Sequence, residues 1–352
     1  MFAQIDYPDK LLPEELDSYL ANGWFRMRQT IFTTNFLHFD QQFFSAIWLR
    51  IQLDHPITDT KYSTLKKLNK GFKIEIHKLP AGGIATTYEL LYLEYRQCIS
   101  FDVSPSLQEL LFATDTTNRF NTYVVNIYDG DVLIAAGFFD MGKNSAAGIT
   151  SIYHPAYKKY SLGKYLIYLK IDYCKLLQLQ YFYPGYMVPG YTPFDYKLEV
   201  GKPALQYLQL STQQWVTVSA KNSILNPMEI MLKRLSYLHT LLLKKSIPNA
   251  LLYNRFFEAN LHPYYQHLGF FDFPIFINCF PIDEASFYTI VIFDIRKNNY
   301  QLLDCSAAIN IGIQQQNSSI FDADLLKLNQ VLFVSSIPEE MVSYIVTSMD
   351  KI

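Results

Sequence analysis

The stretch YHPAYKKYSLGKYLIYLKIDYC, Tyr153 to Cys174, sets a tight turn containing glycine, Ser161-Leu162-Gly163, directly ahead of an apolar run. Leu162, Tyr165, Leu166, Leu169, Tyr173 and Leu176 recur at helical spacing, which predicts a helix from about Leu162 to Leu177. Upstream, NTYVVNIY and DVLIAAGFF read as strands joined by Asp129-Gly130, a two-residue hairpin signal. AAGITSIYH follows as a third strand. Beyond the helix, QYFYPGYMV reads as a strand interrupted by Pro184-Gly185. A turn that leads from a strand into a helix leaves backbone N–H groups pointing outward, ready for an anion or oxyanion.

Two helical stretches precede this block, TTYELLYLEYRQCI and SPSLQELLFA, the second with Ser104 as N-cap and Pro105 behind it. Earlier still, residues 13 to 21 read as a short helix opened by Pro13, with Glu14 and Glu15 in its first turn and Gly23 as its stop. RQTIFTTNF, FFSAIWLRIQL and FKIEIHKL read as strands and TKYSTLKKLNK as a helix. After Trp215 come an amphipathic helix, PMEIMLKRLSYLHTLLLKK, a hairpin candidate turning at Asn298-Asn299, and a terminal helix in PEEMVSYIVTSM. The fold class expected is α+β. It consists of a small mixed α/β N-terminal unit (1–82) ending in the Pro80–Gly83 loop, a central core with a mixed sheet (83–215), and a C-terminal extension (216–352) that carries no assignable motif.

Composition narrows the function classes. The 352 residues are half hydrophobic and 18% charged, with 27 Tyr and 26 Phe, as suits packed domains and not a disordered chain. No apolar run reaches the length of a membrane span, and the N-terminus lacks a signal-peptide pattern, so a cytoplasmic location without a membrane partner is expected. Cys98, Cys174, Cys279 and Cys305 are widely separated and show no metal-ligand spacing; they read as buried free thiols, and no metal is expected. A net charge of −2 argues against a strongly basic nucleic-acid binder. Locally, however, residues 61–78 carry Lys61, Lys66, Lys67, Lys70, Lys73 and Lys78 against the single acid Glu75.

The order hairpin, strand, glycine turn, helix, strand resembles the acyltransferase core of the GNAT type. In a CoA-using protein of that type the turn reads R/Q-x-x-G-x-G/A. Here Tyr160 and Tyr165 take the places of the Arg/Gln and of the second small residue, and a bulky Tyr165 is expected to obstruct a pyrophosphate. The ordered series Tyr153, Pro155, Ser161, Leu162, Gly163, Tyr165, Tyr181, Tyr183, Gly185, Tyr186, Tyr196, Lys197, Pro203 and Trp215 resembles the aminoacyl-tRNA-protein transferases, the arginyl and leucyl enzymes of N-terminal protein degradation. ELDSYLANGWFRMRQTIFTTNF resembles that family's L-x-x-G-F/W-x-R entry, with Gly23, Trp24 and Arg26 in register, so the resemblance runs over residues 7 to 215. It departs from the family at Thr33–His38, where many members carry a cysteine cluster, and at Pro193, where a lysine is usual.

The resemblance implies transfer of arginine or leucine from aminoacyl-tRNA, as co-substrate and without a cofactor, to the α-amine of a protein or peptide N-terminus. It implies catalytic roles for Ser161, Leu162, Gly163 and Tyr186. Substrate contacts fall to Arg26, Gly185, Tyr196 and Lys197, and tRNA contacts to Lys66, Lys67 and Lys70, which sit where the family has a basic run. Alternative readings are a CoA-dependent N-acyltransferase and a family member that binds tRNA or N-termini without catalysis. The sequence does not choose the oligomeric state.

Overall fold

The computed structural model describes residues 1–55, 60–80, 83–99, 103–220, 224–265, 267–280, 287–309, 321–322 and 324–349. Ala81 and Gly82, at the expected first boundary, lie outside the described residues.

The fold is mixed α/β. Near the N-terminus, Ala3–Asp6 (β1), Phe25–Met27 (β2) and Thr30–Thr34 (β3) form a three-stranded sheet, and Phe36–Phe39 (β4) pairs with Gln42–Ser45 (β5). The helix Pro13–Ala21 (α1) lies between β1 and β2, and Gly23 follows it at φ +77°. The strands expected in RQTIFTTNF and FFSAIWLRIQL are therefore divided among β3, β4, β5 and the next strand, Ile47–Gln52 (β6).

An eight-stranded sheet follows. It is built from β6, Lys73–Lys78 (β7), Thr122–Asp129 (β8), Val132–Met141 (β9), Ser145–Tyr153 (β10), Tyr181–Met187 (β11), Leu205–Gln209 (β12) and Gln214–Thr217 (β13), in the order β13-β12-β6-β11-β10-β9-β8-β7. Strands β6 and β7, from the first eighty residues, thus lie in the same sheet as the strands of the central segment. Thr60–Leu68 (α2) and Leu162–Leu176 (α5) cover one face, where Val125, Ile127 and Phe139 meet Leu162, Leu166 and Ile171. Thr86–Arg96 (α3) and Leu107–Leu111 (α4) cover the other, where Val124, Ala136 and Phe138 meet Tyr88, Leu91 and Leu107. The period-2 alternation of the strands separates these two cores.

Ser106, not Ser104, caps α4, because Ser106 Oγ accepts the Glu109 N–H at 3.0 Å. The Ser104 carbonyl instead accepts the Tyr92 hydroxyl at 2.7 Å. The Glu89 carboxylate takes the next two free N–H groups of α4, those of Leu107 and Gln108.

The C-terminal segment contains Pro227–Lys244 (α6), Asn249–Asn254 (β14), Ile275–Cys279 (β15), Phe287–Asp294 (β16), Asn299–Ile309 (β17), Phe321–Asp322 (β18), Leu325–Ser335 (β19) and Pro338–Met349 (α7). Its strands form a six-stranded mixed sheet, and α6 and α7 pack on it together with Phe2 and Phe36 from the N-terminus. The β16/β17 hairpin turns over residues 295–298, with Asn298 left-handed at φ +52°, so Asn299 already belongs to β17.

Candidate active site

The sheet is split at one place. Strands β10 and β11 pair in parallel only from Ser145–Ala147 to Tyr181–Tyr183. Past that point β10 stays with β9 as far as Tyr153, while β11 shifts register and follows β6 as far as Met187. Pro184-Gly185 sits at this shift. Proline has no N–H to give a ladder, and Gly185 adopts φ +92°, so the strand continues with a bulge and leans away from β10.

The gap holds a cleft in two adjoining parts, of about 460 Å³ and about 580 Å³, both lined by Gly148, Ile149, Pro184, Phe194 and Lys197. Gly163, Tyr196 and Tyr153 line the first part; Arg26, Gly185 and Tyr186 line the second. A larger cavity, about 810 Å³, lies between α6 and the C-terminal end of β12 and includes none of the motif residues.

Helix α5 starts at the edge of the first part. Ser161, its N-cap, is left-handed at φ +52° and ψ +41°, and its side chain caps nothing. The opening amides of α5 therefore keep no side-chain partner at the positive end of a 15-residue helix. Leu162 is fully buried and anchors this turn in the core. A Cβ on Gly163 would meet the Tyr153 ring at 3.4 and 3.7 Å, an ordinary contact, and both residues line the first part of the cleft. Tyr165 points into the core and is 4% exposed, so the obstruction expected of it is absent. Tyr160 packs edge-on against Phe72 at 5.0 Å.

Two buried lysines face the cleft, and neither has a carboxylate partner among the described residues. Lys197 donates to the Tyr186 carbonyl at 2.7 Å and lies over the Phe194 and Tyr186 rings at 4.8 and 5.3 Å. Lys170, which the sequence reading missed, donates to the carbonyls of Phe138 (3.0 Å) and Thr150 (3.1 Å) and to Ser151 Oγ (3.2 Å). Burial pushes both ammonium groups down to about 7. The signal for Lys170 was in the sequence: it falls four residues after Leu166, on the apolar stripe of α5.

The other candidates occupy different surroundings. Arg26 lies beneath the second part, with its guanidinium hydrogen-bonded to Asp140 (2.9 Å), Thr122 (2.8 Å), the Leu111 carbonyl (2.7 Å) and the Arg28 carbonyl (2.5 Å), over the Phe120 ring. Burial pushes the Tyr186 phenol up, so near neutrality it donates a hydrogen bond and does not accept a proton. Tyr196 stands half-exposed at the rim. Lys66, Lys67 and Lys70 lie away from the cleft on and just past α2; Lys66 pairs with Asp172 of α5 at 2.8 Å. Closer to the turn, Lys164 and Lys61 share Glu199, at 2.8 and 3.2 Å, and hold its carboxyl down to about 2. His154 caps the 3-10 turn at Pro155–Tyr160 through Nδ1.

Among the described residues no cluster of three or more His, Cys, Asp or Glu could hold a metal ion. Cys174, Cys279 and Cys305 are buried thiols, whereas Cys98 is exposed just beyond α3. No helix among the described residues is long and apolar enough to cross a membrane.

Residues 87–206 match the family described as arginine-tRNA-protein transferase, C terminus. The aspartate/glutamate leucyltransferase of Leptospira interrogans (serovar copenhageni, strain Fiocruz L1-130) is 27% identical over 208 residues, which cover 55% of this chain and 76% of that protein. The aspartate/glutamate leucyltransferase of Vibrio cholerae serotype O1 (strain ATCC 39541) is 25% identical over 211 residues, covering 59% and 85%. Among solved structures, FemX aligns over 54% of this chain and 64% of its own at 7% identity, with a TM-score of 0.34. The matched segment contains the split sheet, the α5 turn and Lys197, and over that segment the chain is similar to the aminoacyl-tRNA-protein transferases, a family of enzymes.

Proposed function

We propose that this protein transfers an amino acid, arginine or leucine, from the 3′ end of a charged tRNA to the N-terminal α-amine of a protein in the cytoplasm, marking that protein for degradation. The observation that carries this reading is the β10/β11 cleft, where Gly163, in the first turn of the uncapped helix α5, and the buried Lys197 line one space. An aminoacyl ester is already activated, so the reaction needs positioning and an oxyanion partner more than an enzymic nucleophile. The hairpin β8/β9, the diverging β10/β11 pair and α5 between them support a GNAT-like layout for this core.

In this reading the Leu162 and Gly163 amides face the ester oxygen, and Tyr186, Tyr196, Gly185 and Lys197 line the acceptor's path. Arg26 holds the floor through Asp140. Lys66, Lys67 and Lys70 meet phosphates of the acceptor arm. No cofactor enters the reaction. The relatives' names specify leucine and acidic acceptors, which makes leucyl-tRNA with peptides beginning in Asp or Glu the first pair to test and arginyl-tRNA the second.

The experiment incubates the protein with each charged tRNA and a labelled peptide, in parallel with acyl-CoA. Peptide extension from tRNA supports the reading. Acylation from acyl-CoA alone moves the protein to CoA chemistry, and tRNA binding with no transfer to any peptide identifies a binding protein.

A further inference from the structure

Lys197 stands where the two parts of the cleft join and lines both. It is 8% exposed, and a Cβ on Gly185 would lie 3.2 Å from its Nζ, so the glycine leaves the nitrogen its space. An ammonium carries three donors. Lys170 directs its nitrogen at three acceptors, whereas the Lys197 nitrogen has one, the Tyr186 carbonyl, and no acid pairs with it among the described residues. The contrast separates a lysine built into the scaffold from one with capacity left for a reactant.

We propose that Lys197 is the general base of the transfer, taking the proton from the attacking α-ammonium group. This rests on the transferase reading above. The Nζ lone pair accepts one proton from the substrate ammonium, and the freed amine forms the N–C bond to the ester carbonyl while the carbonyl electron pair moves to oxygen. Collapse breaks the C–O bond to the tRNA ribose. The departing 3′ oxygen takes a proton from the new Lys197 ammonium, and the nitrogen of the forming amide loses its surplus proton to solvent. The products are the amide, tRNA with a free hydroxyl and one released proton, so atoms and charge balance.

Burial holds the Lys197 ammonium down to about 7, close to an α-amine of about 8, which suits proton transfer in either direction. The titratable and charged groups that face this space are Tyr186 on β11, Tyr153 on β10, Lys164 and Lys170 on α5, Tyr92 and Tyr95 on α3, Tyr196, Arg28, which pairs with Glu109, and the Arg26–Asp140 pair.

The test compares wild type, Lys197→Met and Lys197→Ala on one charged tRNA and one acidic peptide from pH 5.5 to 9. Lys197→Met should lower kcat/KM by roughly a hundredfold or more and lose the acid limb near pH 7, leaving only the limb of the peptide amine. Lys197→Ala should regain rate with small primary amines, in order of their basicity, which a misfolded variant would not do. Wild-type rates in Lys197→Met overturn the proposal. So does a loss confined to KM for acidic peptides, with the acid limb intact and no amine rescue, because Lys197 then only recognises the acceptor's carboxylate. Failure of wild type to transfer from any charged tRNA removes the transferase reading itself, and the base role with it.

Discussion

Gly137 makes room for Lys170: a Cβ at Gly137 would stand 2.8 Å from Lys170 Cε and 3.1 Å from its Nζ, and 3.2 Å from Leu166 Cδ2. The glycine lies on β9 and the lysine on α5, so the empty side chain of one strand residue lets an amine reach the carbonyls of Phe138 and Thr150. Thr150 is where β10 resumes its register with β9 after a bulge, beside the split in the sheet. Lys170 thereby ties the helix that opens the cleft to the strand that forms its wall.

Gly137→Ala should therefore destabilise the protein by about 2 kcal/mol, since the modest gain from replacing a strand glycine is outweighed by displacing a buried amine from its acceptors. Lys170→Met should also destabilise. The double variant should lose less than the sum, with a coupling of about 1 kcal/mol or more. Strict additivity in chemical denaturation would show that the two residues do not share this space.

The same lysine gives stability a pH dependence. The ammonium titrates near 7 in the fold and near about 10.4 in the unfolded chain. Between those values the unfolded chain binds more protons, so stability rises with pH from about 7 upward. Lys170 contributes at most about 1.4 kcal/mol per pH unit. Lys170→Met should flatten the rise between pH 7 and 9 by roughly that slope, and Lys197, shifted in the same direction, should keep part of it. An unchanged slope in the variant would place the Lys170 titration outside this window.

Much of the local structure was legible because local patterns decide it. Asp129-Gly130 gives the β8/β9 turn, with Gly130 at φ +58°, and the leucine stripe of α5 finds its core. Lys197 is singled out by a resemblance in sequence, while its burial depends on Phe194, Tyr186 and the bulge at Gly185, which come together only in the fold. Strand β6 inserts between β11 and β12, a pairing across more than 120 residues that no local periodicity encodes. The place of Tyr165 in a motif puts it at the turn surface, but its helical phase directs it inward with Leu162 and Leu169, and the phase decides.

The basic segment makes a separate prediction. Lys66 already pairs with Asp172, whereas Lys67 and Lys70 are exposed and make no ion pair among the described residues. Lys67→Glu with Lys70→Glu should weaken tRNA binding at least tenfold at low salt. It should also reduce the slope of log affinity against log salt by about two units, one for each phosphate that the variant leaves unneutralised. Identical slopes would make the segment a solvated face.

The last prediction concerns Gly163. The contact of its added Cβ with Tyr153 is an ordinary one, and an alanine favours a helix over glycine by up to about 1 kcal/mol, so Gly163→Ala should not lower the melting temperature. The added methyl group would nonetheless stand in the approach to the first amides of α5. If these hold the oxygen of the reacting ester, transfer by Gly163→Ala should fall about tenfold while tRNA binding stays unchanged. Gly163→Val brings further methyl groups against Tyr153, whose ring also packs on Tyr95 at 5.3 Å. It should forfeit an oxyanion hydrogen bond of roughly 3 kcal/mol, about a hundredfold in rate. The measurement is single-turnover transfer from charged tRNA to an acidic peptide, with each variant's folding checked by thermal melting. Wild-type rates in both variants would separate the turn from the chemistry, whereas a graded loss with binding preserved places the reacting ester at this turn.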